Sequence, residues 1–239
     1  MRTALIDGDV VAYRAAFIGM NEGLMEDEVC DTAAWLTEEW TKSAQCHDIV
    51  MFLSPRSTFR HDMSDTYKAH RKKRDKPAWL SEVRQFLSER FDSVTQPNIE
   101  ADDSLGIYQT CEDDDATVIV TVDKDLLQIP GRLYNPVKDT HHETTAEEGW
   151  HLFLTQWLTG DSVDGYPGLK GIGPKKAAKL LEESDDPITD ILALYEERGV
   201  DWEFCRDQAR FAMILTYERW DDDKQEPILW TPPQYAGDD

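Results

Sequence analysis

The chain has 239 residues and carries 48 Asp and Glu against 25 Lys and Arg, which gives a formal net charge of −23. Hydrophobic residues make up 40% of the sequence, enough for a packed core, so a largely disordered chain is excluded. The four cysteines are scattered without CxxC spacing, which argues against a zinc ribbon or a disulfide framework and is typical of a reducing compartment.

The N-terminal sequence MRTALIDGDVVAYRAAF places Asp7 and Asp9 inside its only early apolar stretch, so it does not have the apolar core of a signal peptide. No window approaches the roughly 18 consecutive apolar residues of a membrane-spanning helix. We therefore expect a cytoplasmic protein that has no membrane partner.

The first part of the chain alternates between predicted strands and helices. Strands are predicted at TALID, DIVMFLS, VIVTV and, more weakly, RLYNPVK. Helices are predicted at YRAAFIG, TAAWLTEEWTKSA, PAWLSEVRQFLSERF and IEADDSLGIYQTCE, where apolar residues recur at helical spacing. Strands that are almost wholly apolar and alternate with helices are typical of a parallel sheet covered on both faces.

After about residue 140 the predicted elements are helical, at EEGWHLFLTQWLTG, PKKAAKLLEE, ITDILALYEERG and EFCRDQARFAMILTYERW. The sequence thus predicts an α/β core over residues 1–140, including a basic region at 56–76. A helical subdomain with a Pro- and Asp-rich tail is predicted over residues 141–239.

Acidic residues recur where the predicted elements begin or end. Asp7 ends the first strand, and the strand at VIVTV runs into Asp123 and Asp125. In open parallel sheets, ligand sites form at the carboxyl ends of the strands. A third group, Glu100, Asp102 and Asp103, opens a predicted helix. A fourth group, Asp161 and Asp164, follows the end of another predicted helix.

Two interpretations of these acids remain open from the residues alone. An Asp at a helix start can be an N-cap that stabilises by about 1 kcal/mol, which suits Asp103 or Asp161 taken singly. If the groups converge, their mutual repulsion requires cations, and oxygen ligands favour Mg²⁺ or Mn²⁺. Two such ions would activate a water and stabilise the leaving oxygen in phosphodiester cleavage.

A cluster of positive charge contrasts with the acidic remainder of the chain. It includes the sequence YKAHRKKRDK and the arginines just before it, namely Arg56, Arg60, Lys68, Arg71, Lys72, Lys73, Arg74 and Lys76. Runs of like charge are usually solvated, yet a run so segregated from the acids also fits a phosphate-binding surface.

The sequence GLKGIGPKKAAKLLEE contains a second phosphate-binding pattern. Gly171 and Gly173 permit a tight turn, and Pro174 suits the first position of a helix. Exposed N–H groups at such a helix start, with Lys175 and Lys176 beside them, can hold a phosphate. After an acid-rich loop, the pattern indicates a helix–hairpin–helix that contacts the DNA backbone without reading bases.

These features together resemble the 5′-nuclease superfamily of flap endonucleases, polymerase 5′-nuclease domains and small phage 5′–3′ exonucleases. The resemblance runs from LIDGDVVAYRAA through FRHDMSDTYKAHR, IEADDSLG and VTVDKDLLQI to LTGDSVDGYPGLKGIGPKKAAKLL, in the family's order. It implies an α/β fold with a PIN-like parallel sheet, a helical arch and a C-terminal helix–three-turn–helix subdomain. It also implies a metal-dependent hydrolase that cleaves phosphodiester bonds at 5′ ends of duplex DNA, and of RNA annealed to DNA.

The resemblance assigns roles to individual residues. The implied metal ligands are Asp7, Glu100, Asp102, Asp103, Asp123, Asp125, Asp161 and Asp164. Lys68 and Arg71 match cations near the scissile phosphate, and Tyr67 matches an aromatic that could stack on a base. DNA contacts are implied for Arg14, Arg60, Lys72, Lys73, Gly171, Gly173, Lys175 and Lys176, with structural pairing as the alternative for Arg60.

The implied cofactors are two Mg²⁺ or Mn²⁺ ions, with K⁺ at the helix–hairpin–helix as a further candidate. The implied partners are duplex DNA with a 5′ end, flap or nick, RNA–DNA hybrids and replication proteins. The implied setting is a monomer in the host cytoplasm that removes primers or degrades DNA during phage replication.

One departure from the family is visible in the sequence. Most relatives have an Asp after the second strand, where this chain has Leu53 and Ser54. Ser54 holding a water, or Asp62, could compensate for the missing acid.

Two other functional classes remain as alternatives. The missing acid would also fit a catalytically impaired DNA-binding relative. A PIN-type ribonuclease would share the acids, but it has no need of the duplex-binding pattern GLKGIGPKK.

Overall fold

The computed structural model describes residues 1–69, 75–111 and 116–233. These residues form two compact units. The sheet unit contains residues 1–58, 75–111, 116–145 and 214–227, and the helical unit contains residues 59–69, 146–213 and 228–233. The units therefore differ from the predicted division in two places, because residues 59–69 group with the helices and residues 214–227 group with the sheet.

Six strands of the sheet unit form one sheet in the order β3-β2-β1-β4-β5-β6. Their bounds are β1 Thr3–Asp7, β2 Asp48–Phe52, β3 Ser93–Val94, β4 Thr117–Val120, β5 Gly131–Asn135 and β6 Thr140–Thr144. The pairs from β3 to β5 are parallel, whereas β6 returns antiparallel to β5 through a short turn. The parallel arrangement agrees with the almost wholly apolar sequences of β1 and β4.

Helices cover both faces of this sheet. The sheet unit contains α1 Gly8–Glu22, α2 Glu26–Ser43, α4 Leu80–Arg90 and α5 Ala101–Cys111. Ala4 and Ile6 of β1 pack into a core with α1, α2 and α4, while Leu5 packs with α5 on the opposite face. Successive strand residues point to opposite faces, so one apolar strand contributes to two cores.

Gly8 marks the point where β1 passes directly into α1. A Cβ at this position would lie 2.7 Å from both the Met51 sulfur and the Phe52 carbonyl oxygen. Only glycine lets the first turn of α1 approach the end of β2 so closely. The sequence placed the helix further along the chain, and the structure shows that it begins at Gly8.

The helical unit contains α3 Phe59–Met63, α6 Ala146–Thr159, α7 Pro174–Glu183, α8 Pro187–Glu197 and α9 Trp202–Ala212. Its core is centred on Trp157, which is fully buried and donates its indole N–H to the Cys205 carbonyl over 2.9 Å. The Tyr195 hydroxyl donates to the Trp157 carbonyl over 2.9 Å, so the two large aromatic groups are satisfied within the core.

Several boundaries differ from the sequence prediction. The short β3 and the polar β6 were not predicted, because two residues carry no pattern and THHET lacks apolar alternation. The last helix was predicted to run to Trp220, but α9 ends at Ala212. The chain then enters the sheet unit, where β7 Trp220–Asp221 pairs antiparallel with β8 Glu226–Pro227.

Within residues 1–69, 75–111 and 116–233, no helix is both long and apolar enough to cross a membrane.

Replacing Gly8 by alanine is expected to destabilise the protein by about 1–3 kcal/mol, because the added methyl group overlaps Met51 and the Phe52 backbone. Urea unfolding followed by circular dichroism measures this change. The control is Met20→Ala on the exposed side of the same helix, for which a change within about 0.5 kcal/mol is expected. Equal unfolding midpoints for Gly8→Ala and the wild type would contradict the proposed close approach.

Candidate active site

Asp7 lies at the carboxyl end of β1 and caps α1. Its Oδ1 accepts the Val10 backbone N–H over 3.1 Å, and its Oδ2 accepts the Thr121 hydroxyl over 2.8 Å. The side chain is buried, with 3% of its residue surface exposed. A carboxylate at a helix N-terminus is favoured by the helix dipole, and these donors fix its orientation.

Asp123 follows the adjacent strand, β4, and is connected to Asp7 through Thr121. The buried Thr121 oxygen accepts the Asp123 backbone N–H over 3.1 Å while its hydroxyl donates to Asp7. Asp123 Oδ1 in turn accepts the Asp125 backbone N–H over 2.9 Å, which caps the 3₁₀ helix Lys124–Gln128. Asp125 is partly exposed, and its carboxylate lies 3.9 Å from the Lys124 amine.

The acids of IEADD lie at the start of α5, a helix that packs against β1 and β2. Glu100 is buried and immediately precedes the helix, while Asp102 is partly exposed. Asp103 is fully buried, and its two oxygens accept the backbone N–H groups of Glu100 and Leu215, each over 3.1 Å. Asp103 therefore caps the start of α5, as one of the two interpretations of this residue predicted. Its bond to Leu215 also holds the segment 214–227 against α5.

Leu53 and Ser54 follow β2, at the position where most relatives have an Asp. Leu53 is buried in the core beside Gly8. The Ser54 hydroxyl accepts the Ala101 N–H over 2.9 Å, so Ser54 is engaged with the start of α5. Asp62, the other candidate for compensation, lies in α3 of the helical unit.

Two charged side chains meet Ser54 from α1 and α4. Asp9 Oδ2 accepts the Ser54 N–H over 3.1 Å, and the Arg84 guanidinium donates to the Ser54 carbonyl over 2.6 Å. Asp9 and Arg84 also form an ion pair. Burial lowers the pKa of the Arg84 guanidinium, while the nearby Asp7 carboxylate acts in the opposite direction.

The carboxylates of this edge suit a hard divalent cation by their chemistry. Asp7, Glu100 and Asp123 supply only oxygen ligands, which Mg²⁺ and Mn²⁺ prefer. Among the residues that the structure describes, no three His, Cys, Asp or Glu side chains are gathered closely enough to enclose an ion directly. Mg²⁺ usually retains several waters and is held by one or two carboxylates, so an open set of this kind still fits it.

In the helical unit, two of the residues assigned to nucleic acid are buried. Tyr67 is 2% exposed and stacks on Phe211 with ring centroids 5.4 Å apart, so its ring is part of the core of this unit, and its contact with a base stays a prediction. Arg60 is 3% exposed and donates to the Met213 carbonyl over 2.5 Å. These contacts favour the structural alternative for Arg60, and its assignment to a DNA phosphate stays a prediction.

Lys68 is held in a constrained position next to Tyr67. Its backbone has φ of 48°, and its N–H donates to the Asp164 carbonyl over 2.8 Å. The Lys68 amine lies 3.7 Å from the Asp164 carboxylate and 5.0 Å from the centre of the Tyr67 ring. A non-glycine residue at positive φ costs free energy and persists only where its surroundings fix it, often at functional sites.

Asp161 organises the loop that carries Asp164. Its Oδ1 accepts the backbone N–H groups of Val163 over 2.6 Å and Asp164 over 3.3 Å. Gly165 follows with φ of 83°, and a Cβ there would lie 2.7 Å from the Thr66 carbonyl oxygen. The loop thus caps itself, as one of the two interpretations of Asp161 proposed, and the metal assignments of Asp161 and Asp164 stay predictions.

The GIGPKK sequence forms the exposed start of α7. Gly173 is the N-cap, Pro174 is the first helical residue, and the space where a Gly173 Cβ would be is open. Lys175 is exposed, and the exposed Lys176 amine donates to the Gly171 carbonyl over 2.8 Å. The predicted helix start is therefore confirmed, whereas its contact with DNA stays a prediction.

Four further basic residues complete the predicted set. Arg14 is exposed on α1. Arg71, Lys72 and Lys73 lie outside the described residues, as do the other two residues of the segment 70–74 within the basic region where the helical arch was predicted.

Residues 2–150 match the family described as 5′-3′ exonuclease, N-terminal resolvase-like domain. The chain belongs to the 5′–3′ exonuclease family. The match spans the sheet of the α/β unit and the acids of β1, α5 and β4.

Relatives of this chain include a phage exodeoxyribonuclease and a bacterial DNA polymerase I. The chain is 25% identical to the exodeoxyribonuclease of enterobacteria phage T3, over 95% of this chain and 92% of that protein. It is 32% identical to DNA polymerase I of Deinococcus radiodurans over 75% of this chain. That match spans only 20% of the polymerase's length.

Among solved structures, the exonuclease-family chain is similar to the bacteriophage T5 flap endonuclease in a pseudo-enzyme–product complex with DNA and metal ions. The TM-score is 0.68 with 14% identity, and 89% of each chain is covered. This likeness confirms the predicted PIN-like fold, a mostly parallel sheet flanked by helices.

Sequence reasoning missed two polar residues that organise the acids. Thr121 and Arg84 bear no motif that marks them as part of a site. Thr121 could have been found from its position directly after β4, beside the end of β1, because parallel strands bring their carboxyl ends together. Arg84 carried no comparable signal, since it lies within a predicted amphipathic helix.

Replacing Thr121 by valine is expected to destabilise the protein by about 1–3 kcal/mol, because the buried Asp7 carboxylate and the Asp123 N–H each lose a partner. Thermal unfolding at neutral pH measures the effect. Thr32→Val is the matched control, since that exposed hydroxyl bonds only to its own helix. Similar small losses in both variants would show that Thr121 does not connect the two strands as described.

Proposed function

We propose that this chain is a divalent-metal-dependent 5′–3′ nuclease that hydrolyses phosphodiester bonds at the 5′ ends of duplex DNA and of RNA annealed to DNA. The observation that carries the proposal is the pairing of Asp7 and Asp123 through Thr121 at the ends of adjacent parallel strands. Glu100 opens a helix that packs against the first of these strands. Membership of the 5′–3′ exonuclease family supports the reaction class.

Asp7, Glu100, Asp102 and Asp123 are the residues that would hold the cation in the sheet unit. A divalent cation bound there supplies positive charge that favours ionisation of the attacking water and stabilises the leaving oxygen. The protein's own contribution is to orient the ligands. The Asp7 carboxylate is oriented by Val10 and Thr121. Thr121 also holds the Asp123 backbone, while the Asp123 carboxylate is oriented by the Asp125 N–H, so both ligands are largely positioned before the cation binds.

In the helical unit, we assign Lys68 to the negative charge that develops on the phosphate during cleavage, and Arg71 to the same role by resemblance. The Lys68 side chain is largely buried against Tyr67 and Asp164 rather than free in solvent, which limits the positions its amine can take. A positioned cation of this kind acts electrostatically and transfers no proton.

The exposed start of α7 is assigned to the duplex backbone. Backbone N–H groups at a helix N-terminus attract phosphate, and the open surface at Gly173 leaves room for it to approach. Lys175 and Lys176 add positive charge at the same helix start. K⁺ at this hairpin is part of the same assignment.

The relatives suggest a setting for this activity. The phage T3 exodeoxyribonuclease matches over nearly its whole length, whereas the polymerase match covers only one part. We therefore assign the chain to primer removal or DNA degradation during phage replication, acting as a monomer on recessed ends, nicks or flaps.

Incubating 5′-labelled duplexes that have recessed, blunt or flapped ends with Mg²⁺, Mn²⁺ or EDTA tests the reaction directly. Short 5′ products in either metal, and none in EDTA, are expected. Binding without cleavage under every condition would instead favour the catalytically impaired relative, and cleavage restricted to single-stranded RNA would favour the ribonuclease.

Asp123→Asn is expected to reduce cleavage to background while duplex binding stays within about 3-fold of the wild type, because binding depends mainly on phosphate contacts. Gel-shift and single-turnover assays separate the two quantities. Asp48→Asn is the matched control, since Asp48 begins β2 at the opposite end of the same sheet and is exposed. Wild-type cleavage by Asp123→Asn would refute the metal assignment.

Lys68→Met keeps much of the side-chain length but removes the charge, and it is expected to slow single-turnover cleavage by about 10²–10³-fold. Lys42→Met serves as the control, because the Lys42 side chain is 80% exposed and pairs with Glu39 one turn away on the same helix in the sheet unit. If the two variants cleave at the same rate, Lys68 acts only in packing.

A further inference from the structure

A polar cluster formed by Arg84, Asp9 and Ser54 lies at the carboxyl end of β2 in the sheet unit. Arg84 of α4 donates to the Ser54 carbonyl over 2.6 Å and forms an ion pair with Asp9 of α1. Asp9 accepts the Ser54 N–H over 3.1 Å. The two charged side chains therefore bind both backbone polar groups of one residue, from two different helices.

The third polar group of Ser54 extends this cluster to α5. Its hydroxyl accepts the Ala101 N–H over 2.9 Å, which is one of the first helical N–H groups and has no partner within the helix. Ala101 directly follows Glu100, and Asp9 lies in the first turn of the helix that Asp7 caps. The cluster thus joins the starts of the two helices that carry the acids of the proposed metal site.

We propose that Arg84 is a positioning residue for the nuclease site: with Asp9 it clamps Ser54, and through Ser54 it fixes the start of α1 relative to the start of α5. This inference rests on the proposed function. It gives a function to the Asp9–Arg84 pair, which no sequence motif explains and which is not part of the proposed set of carboxylate ligands.

The geometry of the pair favours this task over that of an ordinary surface salt bridge. The side chains of Arg84 and Asp9 are 29% and 24% exposed, so their mutual attraction is only partly screened by water. Arg90, on the same helix, pairs with Glu38 over 3.6 Å with side chains that are 56% and 57% exposed. Exposed pairs of that kind contribute little to stability.

The planar fork of arginine is required for the clamp. One guanidinium can donate to the Ser54 carbonyl and to the Asp9 carboxylate at the same time in fixed directions. A lysine would keep the charge but would present a single amine without these fixed directions. Arg84→Lys therefore separates the effect of geometry from that of charge.

The test compares Arg84→Lys, Arg84→Gln, Asp9→Asn and the double variant Asp9→Asn/Arg84→Gln, with Arg90→Gln as the control. Single-turnover cleavage of a recessed 5′ duplex in Mg²⁺ gives the rate and the apparent affinity for DNA. Mn²⁺ binding is measured without DNA by isothermal titration. Circular dichroism establishes a temperature at which every variant is fully folded, and all assays are run there.

Arg84→Gln and Arg84→Lys are both expected to lose about 10–100-fold in cleavage rate with little change in DNA affinity, since outer contacts of metal ligands have effects of this size. The double variant has the same net charge as the native pair, so its Mn²⁺ affinity reports geometry rather than charge. That affinity is expected to fall by about 10-fold or more, whereas Arg90→Gln should match the wild type.

The proposal is overturned if Arg84→Lys cleaves at the wild-type rate, because charge alone would then suffice. It is also overturned if the double variant binds Mn²⁺ normally, or if Asp9→Asn alone abolishes Mn²⁺ binding while Arg84→Gln does not. The last result would make Asp9 a ligand. A wild-type chain that binds Mn²⁺ but never cleaves would refute the proposed function and leave the Mn²⁺ comparison as the test of the clamp.

Discussion

The hydrogen bond from Thr121 to Asp7 is the interaction on which the proposed site depends. β1 and β4 are neighbours and run parallel, so their carboxyl ends emerge at the same edge of the sheet. A buried carboxylate there must be satisfied by polar partners, and the Thr121 hydroxyl meets this requirement while also holding the Asp123 backbone. One side chain thereby fixes acids that are more than a hundred positions apart in the chain.

The same constraint explains what the sequence was able to predict. Alternation of apolar strands with helices identified the parallel sheet, and the acids after β1 and β4 pointed to its carboxyl edge. Helix bounds that are set by strong local signals could also be predicted, as Pro174 at the start of α7 illustrates. The short β3 and the polar β6 were not, because their pairing is determined by neighbouring strands rather than by their own residues.

Charge alone was a poor guide to the function of individual basic residues. Arg60 and Lys68 lie in the same basic stretch, yet Arg60 is buried and bonded to the Met213 carbonyl, whereas Lys68 faces Asp164. Tyr67 likewise packs on Phe211 instead of presenting its ring to solvent. These differences arise from which side of the segment packs against α9, a tertiary choice that no spacing of charges in the sequence reveals.

The return of residues 214–227 to the sheet unit has a consequence for how the chain can fold during synthesis. Asp103 obtains one of its two backbone donors from Leu215, and α5 packs on the segment that follows. A nascent polypeptide that ends near residue 145 would leave that buried carboxylate without this partner. The sheet unit therefore acquires its complete set of contacts only after the intervening helical unit and residues 214–227 have been synthesised.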